Sequence, residues 1–240
     1  MPKNTPLGQL ISLWEIYEND PGLPVRWAMY LEKNPELPKQ TSLIHTDSFL
    51  SAAFPLLAAL RPYGYDSFLL TYAVYRHDLP EWLRGIDVPG PQKTEKDDLL
   101  EYRAFCEKIH YLPKDFYDFE EKAYLLQYAR RCPEIFPARA KEVMLRLRYT
   151  NPLDVSLFPA LESWEYAFYG YHVHKKFNFP VILVHVLRSE LHKLRKAAAV
   201  MPGFRQVIFT PEYEKWALEF LEEHSQIPSQ NMYFSDLPVG

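Results

Sequence analysis

Apolar residues recur at the spacing of an α-helix along almost the whole chain, and prolines separate one such segment from the next. A proline ring removes a backbone donor and opposes helix continuation, so 21 prolines against 8 glycines predict elements with abrupt ends. No strand pattern competes, and the stretch RQVIFT at Arg205 is interpreted as a loop. We predict helices over residues 7–17, 43–60, 66–77, 95–110, 115–130, 138–148, 154–176, 181–199 and 211–224. The expected fold is all-α, as a single compact helical bundle.

One domain is expected to span residues 1–240. Hydrophobic residues make up 48% of the chain and charged residues 24%, which is enough apolar material for a substantial core. No internal repeat, low-complexity tract or shift in composition marks a second domain. The tail over 226–240 is polar and contains proline, so we expect it to fray or to lie on the surface.

Charge and composition exclude several classes of partner. The net charge is −4 with both signs interspersed, so the chain lacks the basic field that binding to a nucleic-acid polymer requires. No window approaches the length of a membrane span and the first residues do not resemble a signal peptide, which predicts a cytoplasmic protein that binds no membrane. Cys106 and Cys132 are too few and too far apart for a disulfide framework or a thiolate zinc site, and are expected to be buried free thiols.

The segment TYAVYRHDLPEWLRGIDVPGPQK carries the most chemical information. An apolar helix ends there on adjacent His77 and Asp78, which offer a metal ion one imidazole nitrogen and one carboxylate oxygen from a single helix end. Pro80 predicts that this helix stops near His77 and that a short second helix starts around Pro80. Glu81 would then face the same cavity.

Two upstream features add to this pattern. His45 lies near the beginning of a strongly apolar helix, where a buried imidazole needs a partner. Arg26 and Trp27 place a fixed cation beside a flat ring a short distance before that helix, a pair suited to a phosphate and to a base or sugar. Together these residues indicate a site for a phosphorylated small molecule.

In this order and approximate spacing, the residues resemble the HD-domain phosphohydrolases, and within them the 5'-deoxynucleotidase branch. The similarity covers about residues 25–125. It rests on Arg26-Trp27, His45, His77-Asp78 with Glu81, Gly85 followed by VPGPQK, and the EYRAFCEK helix that starts at Glu101.

The resemblance implies an HD-domain helical bundle that hydrolyses (deoxy)nucleoside 5'-monophosphates to nucleoside and phosphate. His45, His77 and Asp78 would be ligands of a divalent metal ion, and Glu81 would serve in acid-base catalysis. Histidine and carboxylate ligands suit manganese, cobalt, iron, zinc or magnesium. Arg26 and Trp27 would contact the nucleotide, and family habit together with the 15% aromatic content makes a homodimer plausible.

Asp87 is a further candidate for substrate binding by resemblance. The family carries an aspartate just after the glycine at this point and uses it near the sugar. Ile86 intervenes here, so the position is shifted by one residue.

The family's fourth metal ligand, an aspartate late in the domain, has two possible counterparts. If the helix EEKAYLLQYARRC corresponds to the family's, the ligand position falls on Ala129 and the site lacks its fourth carboxylate. If 132–151 is an inserted helical hairpin, ALESWEYAFYG corresponds instead, with Glu162 as the ligand and Glu165 three residues on. We favour Glu162, because it keeps four ligands and explains the length of the chain.

Other functions stay open at this point. The Ala129 alternative favours an inactive HD-fold protein that binds a nucleotide or another ligand, and the insertion at 132–151 would allow a hydrolase of a different nucleotide. The pairs His172 with His174 and His185 with His192 are considered for a second metal site, but residues two apart point to different faces of a helix. The basic cluster around 175–196 is interpreted as a solvated helix face.

Overall fold

The structure is a computed structural model that describes residues 25–26, 34–37, 40–84 and 93–228. Helices dominate these residues, and the predicted all-α fold is confirmed. The described helices are α1 Ser42–Leu60, α2 Ser67–Arg76, α3 Leu79–Arg84, α4 Glu95–Ile109, α5 Lys114–Ala129, α6 Ala138–Thr150, α7 Pro152–Phe177, α8 Val181–Val200, α9 Phe204–Val207 and α10 Pro211–Glu223. A 3₁₀ turn over Arg61–Tyr63 follows α1. The predicted helix over 7–17 lies outside the described residues.

A two-residue antiparallel pairing precedes the first described helix. Strand β1, Val25–Arg26, pairs with β2, Gln40–Thr41, in the register Val25 to Thr41 and Arg26 to Gln40. The Thr41 hydroxyl then accepts a hydrogen bond from the backbone N–H of Ile44 at 3.3 Å. This N-cap bond satisfies one of the donors that the first turn of α1 leaves without an intrahelical acceptor.

The described residues divide into two compact units, the first ending at Pro159 and the second beginning at Ala160. Helices α1 to α6 and the start of α7 belong to the first unit, while the rest of α7 and α8 to α10 belong to the second. The prediction of one domain over 1–240 stays a prediction. Among the described residues, none of the helices combines the length and apolar character that crossing a membrane needs.

Side-chain caps explain where the helices of the first unit begin. The carboxylate of Asp66 accepts hydrogen bonds from the backbone N–H groups of Phe68 and Leu69 at the start of α2. The backbone N–H of Asp66 in turn donates to Asp154 on α7 at 2.9 Å. Thr94 and Asp97 form a reciprocal capping box at the start of α4. These bonds position α2 and α4, which flank the HD pair in the sequence.

Close backbone approach characterises the second unit, where α7 crosses α8 at a glycine. A Cβ added at Gly170 would lie 2.9 Å from the Cα of Leu183, so a larger residue there would push the two helices apart. The hydroxyl of Ser163 on α7 donates to the carboxylate of Glu190 on α8 at 2.7 Å, and both residues are buried. Packing and one buried hydrogen bond therefore join these two helices.

Two predictions about local structure are corrected. The stretch 132–151, a helical hairpin in the alternative that favours Glu162, contains one helix, α6, where a helix over 138–148 was predicted, and α6 packs against α5. Cys132 adopts a positive φ of 47° immediately after α5, and Pro133 and Pro137 delay the next helix until Ala138. The RQVIFT stretch, predicted as a loop, is partly the one-turn helix α9, which Gly203 introduces with a left-handed φ of 74°. Cys106 and Cys132 are free thiols, as predicted, but only half-buried.

A buried ion pair ties α2 to α5. Arg76 donates from Nε to Oε2 of Glu120 at 2.6 Å and from a terminal nitrogen to Oε1 at 2.8 Å, with both residues 5% exposed or less. Burial lowers the pKa of the guanidinium, but the Glu120 carboxylate outweighs it and the pKa of Arg76 is raised. The charge is therefore retained inside the unit, one residue before His77.

We expect Arg76→Met to lower the free energy of unfolding by about 3–5 kcal/mol, because it leaves the Glu120 carboxylate buried without its partner. The double variant Arg76→Met/Glu120→Met should recover most of that loss, since it removes both charges. Urea denaturation of the three proteins measures both effects. Arg103→Met, an exposed change on α4, serves as the control, and equal losses in the single and double variants would contradict the account.

Candidate metal centre

A break between α2 and α3 presents the HD pair. Helix α2 ends at Arg76, although the N–H of His77 still donates to the carbonyl of Ala73 at 3.0 Å, and α3 begins at Leu79. Pro80 lies in the first turn of α3, where its missing N–H costs no intrahelical bond. The predicted stop near His77 and restart around Pro80 are thus present. His77 and Asp78 lie in the turn between the two helices, each 5% exposed.

The imidazole of His45 on α1 meets this pair. Its Nε2 lies 3.3 Å from Nε2 of His77 and 3.4 Å from Oδ2 of Asp78. His77 Nε2 lies 3.1 Å from Oδ1 of Asp78, and His45 is only 2% exposed. Each residue therefore offers one ligand atom within 4.8 Å of the others, in a buried position.

These separations suit a metal ion. Nitrogen and oxygen ligands about 2.0–2.2 Å from a cation lie about 3.0–3.5 Å from their neighbours in tetrahedral or octahedral coordination. The 3.3 Å between the two Nε2 atoms falls in this range, as do the distances from Asp78 Oδ1 to His77 at 3.1 Å and from Asp78 Oδ2 to His45 at 3.4 Å. Two imidazoles and one carboxylate form a donor set that divalent transition metals favour. The residues present therefore fit a divalent cation.

A backbone hydrogen bond orients the His77 ring. Its Nδ1 lies 2.7 Å from the carbonyl oxygen of Val74, one turn back on α2. A carbonyl only accepts, so Nδ1 carries the proton and donates it. In the neutral ring this places the lone pair on Nε2, the nitrogen that faces His45 and Asp78. The bond thus prepares His77 to act as a ligand through Nε2.

Aromatic rings line the polar trio. Phe49 on α1 makes an edge contact with the His77 ring at 5.5 Å between centroids, and Phe158 on α7 contacts the same ring at 6.0 Å. Both phenylalanines are completely buried. A low local dielectric strengthens the attraction between a bound cation and the Asp78 carboxylate, while it makes that carboxylate costly to bury without compensating charge.

Glu81 is buried beside a lysine and a second glutamate. Its Oε1 lies 3.8 Å from Nζ of Lys93, which forms a 2.7 Å ion pair with Oε2 of Glu101 on α4. Arg84 approaches the other Glu101 oxygen at 3.9 Å, and the Tyr128 hydroxyl donates to Glu101 at 3.3 Å. Side chains from α3, from Lys93 just before α4, from α4 itself and from α5 therefore converge on one buried cluster.

In this cluster, burial and oppositely charged neighbours have opposing effects on the pKa of Lys93 and on the pKa of Glu101. Burial lowers the pKa of Lys93, but the carboxylates of Glu101, Glu81 and Asp78 outweigh it, and the pKa is raised. Burial raises the pKa of Glu101, and the Lys93 ammonium opposes that shift only in part. Lys93 is therefore a retained cation that the carboxylates of both the cluster and the HD pair stabilise.

Helix α5 lies directly beside the HD pair. The side-chain amide of Gln127 donates to the backbone carbonyl of His77 at 3.4 Å and to that of Tyr124 at 3.2 Å. Two residues on, Ala129 is completely buried at the position where one alternative placed the fourth ligand. A methyl group occupies that position, so α5 offers no carboxylate there.

Glu162, the favoured fourth ligand, lies on α7 in the second unit, as does Glu165. Its role as a ligand stays a prediction. Arg26 is the second residue of β1, but its side chain lies outside the described residues, as do Trp27 and Asp87. The substrate contacts predicted for these three residues therefore also stay predictions.

Within the part of the chain that the structure describes, the trio is the one group of three His, Cys, Asp or Glu side chains close enough to hold a metal. His172 and His174 lie on α7, and His185 and His192 on α8. His185 is engaged elsewhere, because its Nε2 lies 3.2 Å from the carbonyl oxygen of Pro228.

Sequence reasoning assigned no role to Lys93, Glu101 or the carbonyl of Val74. Lys93 and Glu101 both fall in strings that carried the family resemblance, VPGPQK and EYRAFCEK, and that position was the available signal. Their pairing and the backbone contact of His77 depend on tertiary packing, which spacing along the chain does not reveal.

Comparison of the chain with protein-family models, with curated proteins and with solved structures yields no match.

We expect manganese or cobalt at about a hundredfold excess over Kd to raise the melting temperature by about 5–10 °C, because the ion binds only the folded chain. His77→Ala should abolish this shift, and differential scanning fluorimetry measures it. His192→Ala, on an exposed part of α8, is the matched control and should respond like the wild type. An equal shift in His77→Ala would show that the ions bind elsewhere.

Proposed function

We propose that this protein is a metal-dependent phosphohydrolase that acts on (deoxy)nucleoside 5'-monophosphates. The observation that carries the proposal is the buried convergence of His45, His77 and Asp78, with Glu81 one turn further along the chain. A buried cluster of imidazoles and a carboxylate also occurs in proteins without enzymatic activity, so the order of residues adds necessary support. That order resembles the HD-domain phosphohydrolases.

Each residue has a defined part in the proposed reaction. His45, His77 and Asp78 would hold a divalent cation, which supplies an activated water and polarises a phosphoryl oxygen. Water attacks phosphorus, and the bond from phosphorus to the 5'-oxygen breaks. The Glu81 carboxylate takes a proton from the attacking water or passes one to the leaving 5'-oxygen, so that nucleoside and phosphate are released.

Charge and composition support a small nucleotide as the substrate. The net charge of −4 disfavours a polyanionic polymer. Arg26 and Trp27, by their resemblance to the family's residues, would contact the phosphate and the base or sugar. Arg26 would offset charge on the phosphoryl group as the bond to the 5'-oxygen breaks.

A second candidate is a protein that binds a nucleotide or another ligand without hydrolysing it. The observation that favours it is Ala129, which is completely buried on the helix whose Gln127 contacts the His77 backbone. If α5 corresponds to the helix that carries the family's fourth ligand, three protein ligands remain. Affinity for a metal would then be weaker, and the water would be activated less.

A phosphate-release screen separates these functions. We expect the wild type to release phosphate from at least one deoxynucleoside 5'-monophosphate with manganese, cobalt or another divalent ion. Glu81→Gln should lower kcat by about 10²–10⁴, because it removes the group that transfers the proton. Glu107→Gln on the exposed face of α4 is the control and should keep wild-type activity.

The substrates in the screen distinguish the alternatives. Activity confined to triphosphates or to cyclic nucleotides would indicate an HD-type hydrolase of a different nucleotide. A wild type that binds metal and nucleotide but releases no phosphate under any metal would overturn the proposal and favour the binding protein.

The fourth ligand is tested by cobalt titration of Glu162→Gln. If Glu162 supplies a ligand, the affinity for cobalt should fall by about 10-fold or more, as expected when a metal loses a coordinating or supporting group. Glu219→Gln, an exposed change on α10, is the control. An unchanged affinity would favour the alternative in which the family's position falls on Ala129.

A further inference from the structure

Lys93 places a positive charge between two buried carboxylates. Its Nζ is 2.7 Å from Glu101 Oε2 and 3.8 Å from Glu81 Oε1, and the lysine side chain is 21% exposed. Glu101 is 1% exposed and Glu81 5%. The ammonium therefore attracts Glu81 in surroundings where little water screens it.

Packed neighbours hold the Glu101 carboxylate in place. Glu101 lies on α4, and Tyr128 on α5 donates to the same oxygen that pairs with Lys93. The Tyr128 hydroxyl is itself 3.2 Å from that of Tyr124, and both tyrosines are at most 1% exposed. Because packed side chains hold Glu101, the short ion pair fixes the position of the Lys93 ammonium.

The contact of Lys93 with Glu81 is longer than its contact with Glu101. A separation of 3.8 Å exceeds the usual N–H···O range of 2.7–3.2 Å, so Lys93 guides the Glu81 carboxylate by charge and does not lock it in a short hydrogen bond. A carboxylate that transfers a proton must point toward the reacting oxygen and still be able to shift during the reaction. Electrostatic attraction without a short hydrogen bond allows both.

We propose that Lys93 is a positioning residue that orients the Glu81 carboxylate toward the reacting phosphoryl group, with Glu101 as its anchor. This inference rests on the proposed function. Lys93 acts through Glu81 and touches neither substrate nor metal. It differs from a purely structural ion pair with Glu101, whose loss would lower stability and leave the chemistry of the remaining folded protein unchanged.

The test compares Lys93→Met, Lys93→Arg and the double variant Lys93→Met/Glu101→Gln in the full-length protein. The double variant is included because Lys93→Met alone leaves Glu101 buried without its cation and could unfold the chain. Lys96→Met, an exposed lysine on α4, is the matched control. Phosphate release is measured on the best nucleotide of the screen, with manganese or cobalt affinity measured alongside.

We expect Lys93→Met and the double variant to lower kcat by about 10–100-fold, as a misplaced catalytic group does, with KM and metal affinity within about twofold of wild type. Lys93→Arg should recover most of kcat because it keeps the charge. Wild-type kcat in the folded double variant would overturn the inference, and so would a rise in KM without loss of kcat, which would place Lys93 on the substrate.

A crystal structure of the double variant tests the inference independently of activity. If Lys93 positions Glu81, the Glu81 side chain should adopt a different rotamer or become disordered, while His45, His77 and Asp78 keep their places. An unchanged Glu81 would overturn the inference. A wild type inactive on every nucleotide would defeat the proposed function alone, and the Glu81 rotamer would still decide whether Lys93 orients this carboxylate.

Discussion

The turn between α2 and α3 is the constraint on which the candidate site depends. A helix that continued from Ser67 through Arg84 would need an N–H that Pro80 does not have, at a cost of about 3 kcal/mol. The chain avoids this cost by ending α2 at Arg76 and starting α3 at Leu79. His77 and Asp78 consequently occupy a buried turn, where adjacent side chains can face one point. In an uninterrupted helix, neighbouring residues would diverge by about 100°.

Two buried ion pairs and the Glu81 carboxylate lie near that turn. Arg76 and Glu120 neutralise each other through two short hydrogen bonds and fasten the end of α2 to α5. Lys93 and Glu101 form a second ion pair later in the sequence than the HD pair, and the Lys93 ammonium also attracts Glu81 at 3.8 Å. Between them, Asp78 has two imidazoles at 3.1 and 3.4 Å as close neighbours. A bound cation would offset the buried charge of Asp78, and the 3.3 Å between the two Nε2 atoms, which lies within hydrogen-bond range, also suits two ligands of one ion.

Much of the local structure could be predicted from the sequence because local rules govern it. Helix α1 was expected at 43–60 and runs over Ser42–Leu60, and α4 was expected at 95–110 and runs over Glu95–Ile109. Apolar periodicity, caps and prolines act within a few residues, so they are visible in the chain itself. In the stretch 132–151, Pro133 and Pro137 delay the helix, and α6 runs over Ala138–Thr150 where 138–148 was expected.

The site was only partly predictable, because its contacts join residues far apart. His45 lies 32 residues before His77, and Arg76 lies 44 residues before Glu120. No periodicity connects such positions, and resemblance to a known order of residues suggested His45. Lys93 and Glu101 were visible as parts of that resemblance but not as a pair. The Val74 carbonyl, which sets the protonated nitrogen of His77, has no signature in a side-chain pattern at all.

The central claim is that His45, His77 and Asp78 bind one cation together. A crystal structure of the protein grown with manganese, with data collected above and below the manganese absorption edge, tests it most directly. We predict one strong anomalous peak about 2.0–2.2 Å from Nε2 of His45, Nε2 of His77 and a carboxylate oxygen of Asp78. A map without a peak there, at manganese concentrations that saturate the protein in solution, would contradict it.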